Sequence, residues 1–475
     1  MGAWEGDLLG RADIAEFLQN LLENDNDEIK VVNIDSPWGT GKTFFLDRWS
    51  KHLSEERGVV YFNAWEKDYT GDPFVSLVSA IRDQLKAQRN LSDEVEDTIR
   101  EFTTKAARAV ASVVPGLAKV AGKGLMQKLI SVESDDVAAV IQAATDEVTD
   151  KAVEALIVNS EKDHEAVRQF REVFEKLVKE VAAAKSAEEG EFPVYVFIDE
   201  LDRCRPTYAI ELLERIKHFF DVPGCIFIIA TDTRQLGHSI KAVYGNDFDS
   251  FEYLKRFFDI TYTLDNSSIE EWVYVNFISD LQENYYWLEL TRTHRVHSYV
   301  GSRVVQRNQV EPDAKTILCH DFDLSEFQLV IVALAKTFNS SLRDLLSIKK
   351  HINASFKNIS DKKVHGFLLC YLIFLKNSDP NLFDFFVNGE KKLFSETVNE
   401  RFPPYNLYFF SKLCSVHEIA GIYLSANNTT EEMLNQRLHA PNDRLAFQTS
   451  VMLDAYNGLD YSKYFKLVDL AVQIK

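Results

Sequence analysis

KVVNIDSPWGTGKT, residues 30–43, is the stretch whose reading decides the fold. Lys30 to Ile34 is a short β-branched run of the kind that forms a buried strand. The glycine-bearing stretch 36–41 reads as a turn, and a helical pattern runs from Lys42 to about Leu53. Strand, glycine-rich turn and helix N-terminus in that order make a cradle for phosphate. Backbone N–H groups of 38–43 can wrap a β-phosphate, because glycine lets the backbone come close and the helix dipole favours negative charge. Trp38, Gly39, Thr40, Gly41, Lys42 and Thr43 are therefore the expected nucleotide-binding residues. Lys42 is expected to reach the β- and γ-phosphates and the Thr43 hydroxyl to ligate Mg²⁺. The chain departs once from the pattern GxxxxGK(S/T): its first position is Ser36. Pro37 already pushes residue 36 toward extended geometry, which serine accepts.

Working outward, an amphipathic helix is expected over 11–23, a second strand at Gly58 to Phe62 and a helix from Pro73 to Lys86. This is the grammar of a doubly wound α/β domain. It stops near 91. Residues 91–186 are rich in Ala, Glu, Lys and Val, with helical periodicity and no strand signal. Strands resume at Val194 to Ile198, Cys225 to Ala230 and about Ile260 to Leu264. The expected fold class is thus an α/β P-loop NTPase with a parallel sheet, split into 1–90 and 190–265 by a helical insertion at 91–189. From 266 onward the pattern is mainly helical: a lid-like region over 266–358, with a basic loop at 290–310, and a C-terminal helical domain over 359–475.

The strand at 194–198 runs directly into Asp199-Glu200-Leu201-Asp202-Arg203-Cys204. An apolar strand ending in Asp-Glu supplies the second half of a nucleotide-hydrolysing site. Asp199 is expected to hold Mg²⁺, usually through water, and Glu200 to polarise the attacking water as general base. With another strand between it and the phosphate loop, this pair points to the NTPases that carry an additional catalytic glutamate. Asp202 reads as a helix cap. Asp232, between Thr231 and Thr233, either senses the γ-phosphate or caps a helix. Arg256 either reaches a nucleotide or makes a surface ion pair. The expected catalytic set is Glu200, Asp199, Lys42 and Arg256; Asp232 joins the binding set, and Thr43 and Asp199 hold the metal. The expected cofactors are ATP and Mg²⁺.

The 475 residues are 46% hydrophobic and 27% charged, which excludes a disordered chain. Lys+Arg total 53 against 73 Asp+Glu, a formal net charge of -20 that repels nucleic acid over the surface as a whole. Arg292, Arg295, Arg303, Arg307, His294 and His297 reverse that sign locally. They mark either an exposed loop or a contact for nucleic acid, an acidic partner or another subunit, with Tyr299 as a stacking platform. A second basic stretch, Lys105 to Lys128, reads as a solvated helix face rather than a membrane-surface helix. Five cysteines without a CxxC pair argue against a disulfide framework and for a reducing cytoplasm. No secretory signal is read at the N-terminus, and no apolar run of 18 or more residues predicts a transmembrane helix.

At this point the residues resemble the KAP family of P-loop NTPases. Four segments carry the likeness: Leu8-Leu-Gly-Arg11 with its helix, Trp38 to Thr43, Tyr61-Phe-Asn-Ala-Trp-Glu66 with Asp72-Pro73, and Phe197 to Cys204 continuing to Tyr253-Leu-Lys-Arg256. The resemblance implies an ATPase domain of the AAA+/STAND-like kind. Members are commonly membrane-associated, with transmembrane segments placed where this chain has its charged helical insertion. Many bacterial members are implicated in phage exclusion or defence. The first functional expectation is a molecular switch in which ATP binding and slow hydrolysis control self-association or a separate effector protein; the alternatives are a nucleic-acid-stimulated motor or loader and a non-hydrolysing nucleotide-binding scaffold. Arg343, in Asn339-Ser-Ser-Leu-Arg-Asp344, resembles the second sensor arginine of AAA+ proteins. Asn63, Trp65 and Glu66 have no evident phosphate chemistry, and Trp65 is expected to pack between strand and helix.

Overall fold

Five β-branched and aromatic segments form the centre of the first unit: β1 (Val31–Asp35), β2 (Val59–Asn63), β3 (Val194–Asp199), β4 (Cys225–Thr231) and β5 (Ile260–Thr263). They build one parallel sheet in the order β2-β3-β4-β1-β5. Every residue of β3 and β4 is buried, as a parallel sheet with helices on both faces requires. The computed structural model describes residues 2–24, 29–70, 72–87, 92–113, 152–185, 192–264, 269–277, 285–286, 297–300, 303–306, 324–359, 364–409, 412–426, 430, 432, 449, 451–454 and 460–474. The chain divides into two units, Met1–Asp265 and Asn266–Lys475.

One face of the sheet is covered by α1 (Arg11–Asn24) and α2 (Lys42–Leu53), whose Leu18, Leu22, Phe45 and Trp49 pack on Val32, Ile34, Phe197 and Ile228. The short α3 (Ala64–Lys67) follows β2, and α4 (Pro73–Ala87) then crosses to the other face. There it joins α7 (Pro206–Phe219) and α8 (Thr233–Tyr244) over Val60, Val196, Ile198 and Ile229. The register aligns the carboxyl ends: Asp35 pairs with Thr231, Ile198 with Ile229 and Asn63 with Asp199. Strand β4 therefore lies between the phosphate loop after β1 and the acidic end of β3.

The described part of the insertion is two helices, α5 (Asp93–Val113) and α6 (Ala152–Lys185). They are not an appendage, because they share the core of the sheet. Phe102, Phe170 and Phe174 pack with Phe74 of α4 and with Phe219 and Phe220, at ring-centroid distances of 4.7–6.1 Å. Lys105 donates to Gln169 at 2.9 Å, so this part of the first basic stretch faces α6. Lys119, Lys123 and Lys128 lie outside the described residues. A glycine is required where α6 meets the sheet: a Cβ on Gly58 would sit 2.7 Å from Val181 and 3.0 Å from Val194. The outer edge of β2 is closed by the Gln84 amide, which accepts from Tyr61 N at 2.8 Å and donates to Tyr61 O at 2.7 Å.

The first unit ends with α9 (Ser250–Leu254) and β5. The second unit is built on α10 (Glu270–Asn276), α11 (Glu326–Thr337), α12 (Leu342–Asn358), α13 (Gly366–Ser378), α14 (Pro380–Val387), α15 (Lys391–Arg401), α16 (Val416–Ala426) and α17 (Tyr461–Ala471). Helix α13 is buried on every side from Gly366 to Leu375 and forms its axis. One core runs from Ile269 to Val468, with no break at the boundary expected near 358. This mainly helical region also contains three short strand pairs among the described residues. β6 (Tyr285–Tyr286) pairs with β9 (Val364–His365), β7 (His297–Val300) with β8 (Arg303–Gln306), and β10 (Asn406–Phe409) with β11 (Lys412–Ser415). Segments this short fall below the length at which alternation is legible. The basic stretch 290–310 thus contains a hairpin that places Arg303 on β8; Arg292, Arg295, Arg307 and His294 lie outside the described residues. Among the described residues no helix is long and apolar enough to cross a membrane.

Candidate functional site

The chain leaves β1 through a closed loop. Ser36 N donates to Thr231 O at 3.0 Å, which ties the loop to the end of β4. Gly39 and Gly41 take φ values of 84° and 95°, a left-handed conformation that a side chain would strain. Ser36 fits the position of the missing glycine by burying its hydroxyl against that of Thr40, which also bonds to Pro37 O. Arg11, fully buried in α1, donates to Thr40 O at 3.4 Å. Lys42 opens α2 and folds back on its own loop, donating to Ser36 O and, at 3.2 Å, to Pro37 O. Burial lowers its pKa; Asp202, Asp232, Asp35 and Asp199, in that order, oppose the shift. Thr43 stands exposed beside it.

Across β4, Asp199 is buried with both oxygens engaged. Tyr61 OH donates to one at 2.8 Å and Glu200 N to the other at 2.8 Å. Burial, and then the Asp199 charge, push the Tyr61 phenol well above its ordinary range, so it stays a donor. Glu200 has φ 61° and forms an ion pair with Arg203 at 2.7 Å. Asp202 caps no helix. Its Oδ2 accepts from the Trp38 indole at 2.5 Å and from Asp232 N at 3.1 Å, joining the phosphate loop to the ends of β3 and β4. Asp232 itself caps α8 by accepting from Gln235 N at 3.1 Å. Behind it Thr231 donates to Asn33 at 2.7 Å, Asn33 donates to Thr233 at 3.0 Å, and Thr233 N donates to Asp35 at 2.8 Å.

The structure thus brings Trp38 to Thr43, Asp199, Glu200 and Asp232 to one end of the sheet. Arg256 is exposed on the turn after α9, with no side-chain partner among the described residues. Arg343 is the exposed second residue of α12 in the second unit. Trp65 does not pack between strand and helix: it is 53% exposed, because the chain enters α3 directly at the end of β2. Asn63 caps that helix by accepting from Glu66 N at 3.1 Å. Sequence reasoning missed Tyr61 and Asn33 as parts of the site. Asn33 left a signal, as a polar residue inside the apolar run KVVNI; Tyr61 did not, because tyrosine is ordinary in a strand.

No group of three or more His, Cys, Asp or Glu among the described residues could hold a metal ion. One carboxylate and one hydroxyl, Asp199 and Thr43, suit Mg²⁺, which keeps waters and takes its remaining ligands from nucleotide phosphates. A parallel sheet of this order, with a glycine-rich loop entering a helix and an acidic strand end one strand away, defines a P-loop nucleotide-binding domain. The chain belongs to the KAP family: the KAP family P-loop domain matches residues 11–354. It is also similar to the uncharacterized protein MJ0182 of Methanocaldococcus jannaschii, at 26% identity over 178 residues, covering 34% of this chain and 84% of the relative.

Proposed function

We propose that the first unit binds ATP with Mg²⁺ and hydrolyses it. The observation that carries this reading is Lys42: a buried ammonium at the mouth of the loop, in the field of Asp199, Asp202, Asp232 and Asp35. In this reading Lys42 leaves the loop carbonyls for the β- and γ-phosphates, and the loop N–H groups hold the β-phosphate. Asp199 and Thr43 hold Mg²⁺, which supplies neutralisation of charge on the phosphate oxygens. Tyr61 and Glu200 N fix the Asp199 carboxylate in one orientation. Glu200 takes the proton from the attacking water.

Two variants test it. Lys42→Ala is expected to abolish ATP binding by calorimetry. Glu200→Gln is expected to bind ATP as wild type does and to lose turnover about 100-fold or more in a phosphate-release assay. A wild-type protein that binds ATP and releases no phosphate would establish the non-hydrolysing scaffold instead.

The reading extends to a switch in which ATP controls self-association and a separate effector, in the defence setting that the family suggests. It rests on the sequence having no nuclease, protease or deaminase site of its own. Glu200→Gln with ATP is then expected to give a larger mass by light scattering than Lys42→Ala; equal masses would sink the assembly switch. The motor or loader reading rests on the basic hairpin, β7 and β8. It requires DNA or RNA to stimulate phosphate release at low salt, and neutralising Arg303 together with Arg292, Arg295 and Arg307 to remove the stimulation.

A further inference from the structure

Glu200 occupies an unusual setting for a group that must accept a proton. It is one of two non-glycine residues with positive φ among the described residues, at 61°. This conformation costs on the order of 1 kcal/mol for an ordinary side chain. It turns the carboxylate back over the 3₁₀ turn Leu201–Arg203, where Oε1 lies 2.7 Å from Arg203 Nη1. Only 13% of the Glu200 side chain is exposed, and 32% of the Arg203 side chain. The guanidinium of Arg203 also stands over the ring of Trp65, 5.8 Å from its centroid. The neighbouring arginine is committed elsewhere: Arg205 binds Asp68 through its backbone N at 3.0 Å and its Nε at 2.8 Å.

We propose that Arg203 is a positioning residue that withholds Glu200 from the attacking water, and that the exposed Trp65 ring braces Arg203 in that position. This inference rests on the reading of Glu200 as general base. A carboxylate oxygen that accepts a charge-assisted hydrogen bond is turned toward its partner rather than toward solvent. Donor and acceptor belong to one short turn, so rotation of the Arg203 side chain breaks the pair. The Trp65 ring face holds the guanidinium by a cation–π contact while the ion pair is made. Trp65 sits at the end of β2 beside β3, where Asn63 is the register partner of Asp199.

Steady-state ATP hydrolysis by the full chain tests this, with ATP affinity measured separately. An ion pair of this exposure sets the scale of the effect: Arg203→Gln is expected to raise kcat about two- to five-fold, with KM and the ATP Kd unchanged. Arg203→Lys, which keeps a charge but loses the planar fork, is expected to fall between wild type and Arg203→Gln. Trp65→Ala removes the brace and is expected to raise kcat by less than Arg203→Gln does, with ATP affinity unchanged. If Glu200→Gln is inactive and Arg203→Gln leaves kcat unchanged or lowers it, Arg203 does not withhold Glu200, and the general-base reading survives. If Glu200→Gln hydrolyses ATP as fast as wild type, both ideas fall together.

Discussion

Trp38 shows how much of this site is carried by single side chains. It is 46% exposed, yet its indole N–H reaches the buried carboxylate of Asp202 at 2.5 Å, and the same oxygen accepts from Asp232 N. One residue of the phosphate loop is therefore tied to both neighbouring strand ends. Trp38→Phe keeps the ring and removes the donor. It is expected to cost about 1 kcal/mol in urea unfolding of the first unit, as loss of a partly exposed hydrogen bond to a charge does. It is also expected to weaken ATP binding several-fold in a titration, because the loop loses a tether; an unchanged affinity would show that the loop holds its shape without Asp202. Ser36 makes the complementary point. Its departure from glycine is absorbed inside the loop by Thr40, a contact that pattern matching cannot see because it depends on where two hydroxyls meet.

At the scale of the element, the insertion is part of the first unit's core. Phe170 of α6 touches rings from α4, from α5 and from Phe219 and Phe220 at the end of α7. Phe170→Ala leaves a cavity at that junction. It is expected to destabilise the first unit by about 3–5 kcal/mol in urea unfolding, whereas a detached insertion would leave the sheet's unfolding unchanged. Gly58→Val puts its Cβ 2.7 Å from Val181, closer than carbons pack, and a tight 3.0 Å from Val194, and should cost about 1–3 kcal/mol in the same measurement. The helical character of α5 and α6 was legible from periodicity. Their packing against the sheet was not, because periodicity tells which face of a helix is apolar and not which surface covers it.

At the scale of the whole molecule, the second unit carries a pH dependence. His417 is buried between Tyr371 and the Phe402 carbonyl. Phe402 O can only accept, so Nε2 carries the proton and Nδ1 takes the Tyr371 hydrogen bond at 2.9 Å. Burial lowers the pKa of His417 from 6.5 to about 4. A folded-state pKa below the unfolded value means that the unfolded chain binds the proton more readily. The stability is present above pH 6.5 and is lost as pH falls toward 4. The loss should reach about 2 kcal/mol by pH 5. Urea unfolding at pH 7.5 and pH 5 checks this: His417→Gln is expected to remove most of the difference between the two pH values. An acid loss that persists in full in the variant would assign it to other groups. Net charge, -20 for the chain, foretold none of this, because a buried neutral imidazole contributes nothing to it.

The residues alone dictate the order of the sheet strands along the chain in the first unit and the strand–turn–helix form of the phosphate loop. Glycines at 39 and 41, Lys42 and Thr43 follow a strand at fixed spacing, and the Asp-Glu pair closes another. Those are local facts, set by backbone conformation and by alternation along one strand. Tertiary structure alone decided which distant residues complete the site. Tyr61 meets Asp199 across 138 positions of chain, and Trp38 meets Asp202 across 164. Such pairs form only when parallel strands bring their carboxyl ends into register. Parallel pairing links residues that no local period relates.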